Sequence, residues 1–181
     1  MTVTKHTIVA LVEDKPGVLN RVASLFRRRG FNIESIAVGH SEIPHLSRMT
    51  IVVNGPAAMV EQVRKQLDKV VDVVKAVDIT GDNITARELA LIKVKATSAT
   101  RSEIIEIVDI FRANIVDVAS DSLIIEITGD EDKVDSLLNL LRGFGIKEIA
   151  RTGRIAMLRG SAGQLPAEGK QSKSSKRQKT S

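Results

Sequence analysis

Residues 13–35 read Glu13-Asp14-Lys15-Pro16-Gly17-Val18-Leu19-Asn20-Arg21-Val22-Ala23-Ser24-Leu25-Phe26-Arg27-Arg28-Arg29-Gly30-Phe31-Asn32-Ile33-Glu34-Ser35. Within it Val18, Leu19, Val22, Ala23, Leu25 and Phe26 recur at the spacing of one buried helical stripe, so a helix is expected from about Gly17 to Arg29. Asp14-Lys15-Pro16-Gly17 is the turn into that helix, and Asp14 or the residues just after it are candidates to cap it. Gly30 stands where a C′ glycine ends a helix, and Arg27 to Arg29 place cations on its last turn. A helix start with bare backbone N–H groups binds a carboxylate well, which makes this turn the first place to look for a ligand. Taken alone, a Pro-Gly turn before an amphipathic helix is also an ordinary turn.

Working outward, His6 to Val12 alternates like a strand and ends at the turn. Ile33 to Val38 and Ser47 to Val53 read as two more strands, joined by an exposed loop over Gly39 to His45. A second helix follows Gly55-Pro56, with Val60, Val63, Leu67 and Val70 in period, and Val71 to Val77 is a fourth strand. The order βαββαβ is a split βαβ of the ferredoxin-like type. After the turn residues Gly81-Asp82-Asn83 a similar order returns: strand Glu88 to Ala96, helix Arg101 to Arg112, strands Ile115 to Ala119 and Leu123 to Thr128, helix Lys133 to Arg142, and a closing strand Ile146 to Met157. The fold class is therefore α+β, two ferredoxin-like units in tandem. The expected divisions are 1–80, a linker at 81–86, a second unit at 87–160 and a tail at 161–181.

Composition restricts the function classes. The chain has 181 residues, 43% of them hydrophobic, no cysteine and a formal charge of +5. No cysteine means no disulfide framework and no thiolate metal site, and a reducing cytoplasm is the default. No run approaches the roughly 18 apolar residues of a membrane span, and the opening apolar run is too short for a signal peptide, so a soluble, unprocessed, cytoplasmic chain is expected. Five basic residues after Ser161 (Lys170, Lys173, Lys176, Arg177, Lys179) against Glu168 account for +4 of the charge. The basic character thus belongs to a tail rich in Ser, Lys and Gln, which is expected to be disordered. The folded part carries little excess charge to attract nucleic acid. RNA-recognition domains share the βαββαβ order but stack bases on strand aromatics. Here the only aromatics are Phe26, Phe31, Phe111 and Phe144, all on predicted helices or loops. An amino-acid-responsive nucleic-acid-binding regulator is the alternative reading. No nucleophile–base pair, cofactor fingerprint or metal-ligand spacing supports a free-standing enzyme. His6, His40 and His45 lack such spacing.

The runs Glu13 to Leu19, Arg29 to Ser35 and Leu46-Ser47-Arg48-Met49-Thr50-Ile51 together resemble the small regulatory subunit of acetolactate synthase (acetohydroxyacid synthase). The likeness continues through Gln66 to Val73, Arg87-Glu88-Leu89, Ile110-Phe111-Arg112 and Ala150-Arg151-Thr152-Gly153, covering about 1–160. The resemblance implies an N-terminal ACT domain, a C-terminal ferredoxin-like domain, and no active site or cofactor of its own. It also implies dimers or higher homo-oligomers that activate a catalytic large subunit using thiamine diphosphate, FAD and Mg²⁺, and feedback inhibition by valine, leucine or isoleucine. Carried over by position, the effector site falls at Asp14, Gly17, Val18, Asn32 and Ile33. The family commonly has Asn at position 14; the carboxylate here strengthens a bond to a ligand ammonium and repels a ligand carboxylate.

The residues suit such a ligand. Backbone N–H groups at Gly17 and Val18 can take its carboxylate, and Asn32 can donate or accept. Ile33, Val12 and Leu19 are expected to form an apolar wall, favouring a branched aliphatic side chain. Thr97-Ser98-Ala99-Thr100 replaces the Pro-Gly turn in the second unit, so only the first is expected to bind the ligand. Because such domains pair, the loop of one protomer is expected to face the Asn32 region of another.

Overall fold

The chain's architecture, taken from a computed structural model describing residues 4–160, consists of two antiparallel sheets, each with helices on one face. The first unit runs β1 (Thr4–Glu13), α1 (Val18–Arg28), β2 (Ile33–His40), β3 (Leu46–Gly55), α2 (Ala57–Leu67), β4 (Val73–Asp78). The second runs β5 (Ile84–Lys95), α3 (Arg101–Ile110), β6 (Asn114–Val118), β7 (Ser122–Gly129), α4 (Glu131–Leu141), a single 3-10 turn at Arg142–Phe144 and β8 (Ile146–Arg151), and β9 (Ile155–Leu158) follows. Strand orders are β2-β3-β1-β4 and β6-β7-β5-β8, the same ferredoxin-like order twice. The fold class read from the sequence therefore stands. The tail expected from 161 lies outside the described residues.

Helix α1 stops where its sequence says it should. Gly30 has φ 73, its N–H donates to Arg27 O at 3.1 Å, and Phe31 N–H donates to Phe26 O at 3.1 Å. These are the two bonds of a Schellman ending, in which a left-handed residue satisfies the orphan carbonyls of the last turn. The start differs from expectation. No side chain caps α1; Gly17 itself occupies the N-cap position with φ 85. Asp14 points elsewhere, so the glycine's left-handed conformation, open to few other residues, sets the entry of the chain into the helix.

Period-2 alternation in β1 sends Ile8, Ala10 and Val12 into the core with Val18, Val22, Leu25 and Phe26 of α1 and Val60, Val63 and Leu67 of α2. The register pairs Ile8 with Ile51 and Ala10 with Met49, so one face of both central strands meets the helices. The other face, with Val9, Leu11, Thr50 and Val52, is buried as well, and Arg48 on it donates from Nη2 to Ala156 O at 2.9 Å. By contacts the chain divides into one unit of residues up to Thr85 together with the segment from Ala156, and another of Ala86–Ile155. Within the first, Arg159 N–H donates to Asn83 O at 2.8 Å. Ile84 to Ala86, read as the end of a linker, are already strand. The single closing strand expected over Ile146 to Met157 is two strands, β8 and β9, interrupted at Thr152 to Arg154, where Gly153 takes φ 81.

The second unit's core is built likewise from Ile92 and Val94 of β5, Ile104 and Val108 of α3, Ile125 and Ile127 of β7, and Leu137 and Leu141 of α4. Its α4 has the side-chain cap that α1 lacks: Asp130 Oδ1 accepts from Lys133 N–H at 2.9 Å. Glu131 and Asp132 follow on the first turn, where anions suit the helix dipole.

Candidate functional site

The sequence-predicted residues fall into two groups at opposite ends of α1. Asp14, Gly17 and Val18 lie where β1 enters the helix; Asn32 and Ile33 lie where the chain leaves it. An 11-residue helix separates them, a length of about 16 Å, well beyond the reach of one amino acid. Within a single protomer the two groups therefore do not form one pocket.

At the first end the backbone is exposed. Gly17 has open space where a side chain would stand; the nearest atom to a notional Cβ is Arg21 Nη2 at 4.0 Å. The Leu19 and Asn20 N–H groups have no acceptor within the helix, as at any helix start, and no side chain among the described residues caps it. Val18 is buried, so its side chain belongs to the core and only its backbone faces the loop. Its N–H makes a long bond of 3.4 Å to Lys15 O. Val12 is 1% exposed and also faces the core, which corrects its expected place in an apolar wall; Leu19, 48% exposed, is available for that wall.

The loop is braced from three sides. Asp14 N–H donates to His45 O at 2.8 Å, and the Asp14 carboxylate sits 3.3 Å from His40 Nδ1, with both side chains well exposed. Lys15 Nζ donates to Glu13 Oε2 at 2.6 Å, and that hydrogen bond holds the lysine above its ordinary pKa. Glu13 N–H donates to Asp72 O at 2.8 Å, and the Asp72 carboxylate accepts from Arg21 Nη1. Asp72 is nearly buried while Arg21 is half-exposed. Their pairing holds a guanidinium beside the Gly17 loop, one helical turn on, as a fixed donor group suits a carboxylate. Reading the sequence missed Arg21, Asp72 and His40. Arg21 lies within the same amphipathic helix, but its partner is 51 positions away, and no local pattern signals such a pair.

At the other end an open cleft of about 520 Å³ is lined by Ala23, Phe26, Arg27 and the run Gly30 to Ile33. Asn32 is exposed, and Ile33 is half-buried and packs on the core. Phe31 fixes this turn. Its ring lies against Gly55 so closely that a Cβ there would collide with Phe31 Cε1. Glu34 is skipped in the β2–β3 register, which pairs Ile33 with Val53 and Ser35 with Val52. Such a bulge turns the strand and re-aims the residues beside it. Glu34 is anchored by Lys5 Nζ at 2.6 Å and by Asn54 Nδ2 at 2.9 Å.

Neither sheet offers a base-stacking platform. All four phenylalanines lie on helices or turns: Phe26 in α1, Phe31 after it, Phe111 at the end of α3 and Phe144 in the 3-10 turn.

Comparison with known proteins accounts for both halves. A family described as the small subunit of acetolactate synthase matches residues 87–160, and one described as the AHAS small subunit-like ACT domain matches residues 8–75. The chain is 60% identical over 157 residues to a probable acetolactate synthase small subunit of Archaeoglobus fulgidus, covering 87% of this chain and 98% of that one. It is 49% identical over 158 residues to the acetolactate synthase small subunit of Bacillus subtilis, covering 87% and 92%. The crystal structure of the acetolactate synthase small subunit from Thermotoga maritima matches with a TM-score of 0.80 and 48% identity, over 87% of this chain and 98% of that one.

Proposed function

Because the chain belongs to the acetolactate synthase small-subunit family, we propose that it activates a separate catalytic large subunit and makes it sensitive to a branched-chain amino acid, valine first. The match of both halves to that family carries this reading. The large subunit would supply thiamine diphosphate, FAD and Mg²⁺ and convert pyruvate to 2-acetolactate; this chain supplies regulation.

The effector would bind in the first unit. Backbone N–H groups at Gly17 and Val18 receive its carboxylate, helped by the guanidinium of Arg21. Asn32 and Ile33 serve a ligand held by the other end of a helix. Since α1 separates the two groups, one protomer's Gly17 loop would meet its partner's Asn32 turn, and the ligand would lie between copies. Binding and pairing would then be coupled, each strengthening the other. Leu19 and Ile33 present aliphatic surface, which fits a branched apolar side chain better than a polar one.

Calorimetric titration of the full chain with valine, leucine and isoleucine tests the effector reading. Heat of binding with saturation at one ligand per Gly17 loop is expected, with lysine and glutamate inert. Equal response to polar and branched amino acids would refute the proposed pocket.

A further inference from the structure

At the start of β1, three side chains form a hydrogen-bonded chain. Thr4 Oγ1 lies 2.9 Å from His6 Nε2, and His6 Nδ1 lies 3.0 Å from Asp78 Oδ2. A carboxylate only accepts, so in the neutral imidazole Nδ1 carries the proton and Nε2 is left to accept from the Thr4 hydroxyl. The other carboxylate oxygen, Asp78 Oδ1, accepts from Thr80 N–H at 3.0 Å, which holds the carboxylate in place. The His6 side chain is 8% exposed, whereas Thr4 is exposed, so the base is shielded and the hydroxyl it faces is open to solvent. A hydroxyl, a base within hydrogen-bond reach and a third group orienting the base are the parts of an activated nucleophile. Reading the sequence found no such set, because Asp78 stands 72 positions from His6.

A fourth part lies beside them. Thr4 pairs with Gly55 in the β1–β3 register, and α2 begins two residues later at Ala57. By the alternation of β1, Thr4 and His6 share the face of Ile8 and Ala10, the face that meets the helices. Pro56 occupies the N-cap position of α2, and no side chain among the described residues caps it. The Ala57 and Ala58 N–H groups therefore have no acceptor within the helix. Backbone donors next to a nucleophile suit the charge that develops on a carbonyl oxygen under attack.

We propose that Thr4 is an acylation site that takes an acyl group from an activated ester. Thr4 Oγ1 bonds to the ester carbonyl carbon while its proton passes to His6 Nε2. The carbonyl oxygen carries the negative charge on the α2 side. The bond to the leaving oxygen then breaks, that oxygen departs with the electron pair, and His6 returns the proton to it. The products are acyl-Thr4 and the leaving alcohol. Thr4 stands at the opposite end of β1 from the Gly17 loop, so its acylation requires no amino-acid effector.

The probe is p-nitrophenyl acetate, applied to the full chain, with peptides read by mass spectrometry before and after hydroxylamine. Hydroxylamine removes an acetyl group from a hydroxyl oxygen and leaves one on an amine such as that of Lys5. One hydroxylamine-sensitive acetyl group is expected on Thr4, formed about a hundredfold faster than any on the exposed hydroxyl of Ser102. Thr4→Ser should keep the ester and Thr4→Val should lose it, both with unchanged melting curves; His6→Gln should slow its formation about a hundredfold. Should His6→Gln fail to fold, the comparison of Thr4 with Ser102 in the wild-type chain decides. Acetyl groups confined to amines, equal rates at Thr4 and Ser102, or an undiminished rate in a folded His6→Gln chain would overturn the inference.

Discussion

Substituting Gly17 separates backbone strain from ligand repulsion at the proposed effector site. With φ 85 the residue is left-handed, yet nothing lies within 4.0 Å of a notional Cβ except Arg21 Nη2 at that distance. A side chain therefore meets conformational cost and no collision. Gly17→Ala should lose about 1–2 kcal/mol of stability, the left-handed penalty for an L-residue. Asn and Asp tolerate that conformation better, so Gly17→Asn and Gly17→Asp should each lose less. The two differ by one charge at nearly identical shape. If the ligand carboxylate sits on the α1 start, the added anion lies at about 4 Å from it, where like charges cost between about 1 kcal/mol in bulk water and about 4 kcal/mol at an effective dielectric of 20. Each 1.4 kcal/mol is tenfold, so valine affinity of the Asp variant should fall between several-fold and about a thousandfold below that of the Asn variant. Titration calorimetry on both variants, with denaturant melts for stability, reads the two effects separately. Equal valine affinity for Asn and Asp would refute the placement of the carboxylate at this loop.

Two other glycines make a contrasting pair. A Cβ at Gly55 meets the ring of Phe31, whereas one at Gly129 meets Lys133 Cδ at 2.7 Å. The ring is packed against the core and the lysine is flexible, so Gly55→Ala should cost about 1–3 kcal/mol in urea denaturation and Gly129→Ala much less. Arg21→Leu should lower stability by about 1–3 kcal/mol, because it strips the nearly buried Asp72 carboxylate of its partner, and Arg21→Leu with Asp72→Leu should recover part of the loss in a double-mutant cycle. Glu61, held at a pKa of about 2 mainly by its hydrogen bond from Arg64, lies below its ordinary 4.5. A carboxylate with a lowered folded pKa adds stability above its unfolded pKa that disappears as pH falls toward the folded one. The stability gap between wild type and Glu61→Gln should therefore close between pH 5 and pH 2, as acid titration of the urea midpoint can follow.

Much of this architecture was legible because its determinants are local. The α1 stripe, Gly30 at C′ and the alternation in β1 each depend on neighbours a few residues apart. What escaped depends on distance or on single backbone angles. Arg21 with Asp72 joins the helix to the approach of β4, and Phe31 on Gly55 joins a turn to a strand end. The bulge at Glu34 leaves no sequence mark. Val12 was misplaced because β1 is buried on both faces, so hydrophobicity no longer indicates which side a residue takes. The proposed effector residues come from family likeness and stand at both ends of α1; the helix between them keeps the two groups from forming one pocket within a protomer.

The most direct test is reconstitution: 2-acetolactate formation by the purified large subunit, measured alone, with this chain, and with this chain plus valine. A higher rate is expected on adding the chain, with a return toward the unassisted rate as valine rises, and Gly17→Asp should retain the first effect and lose the second. A rate that the chain leaves unchanged, or an activated rate indifferent to every branched-chain amino acid, would contradict the regulatory role.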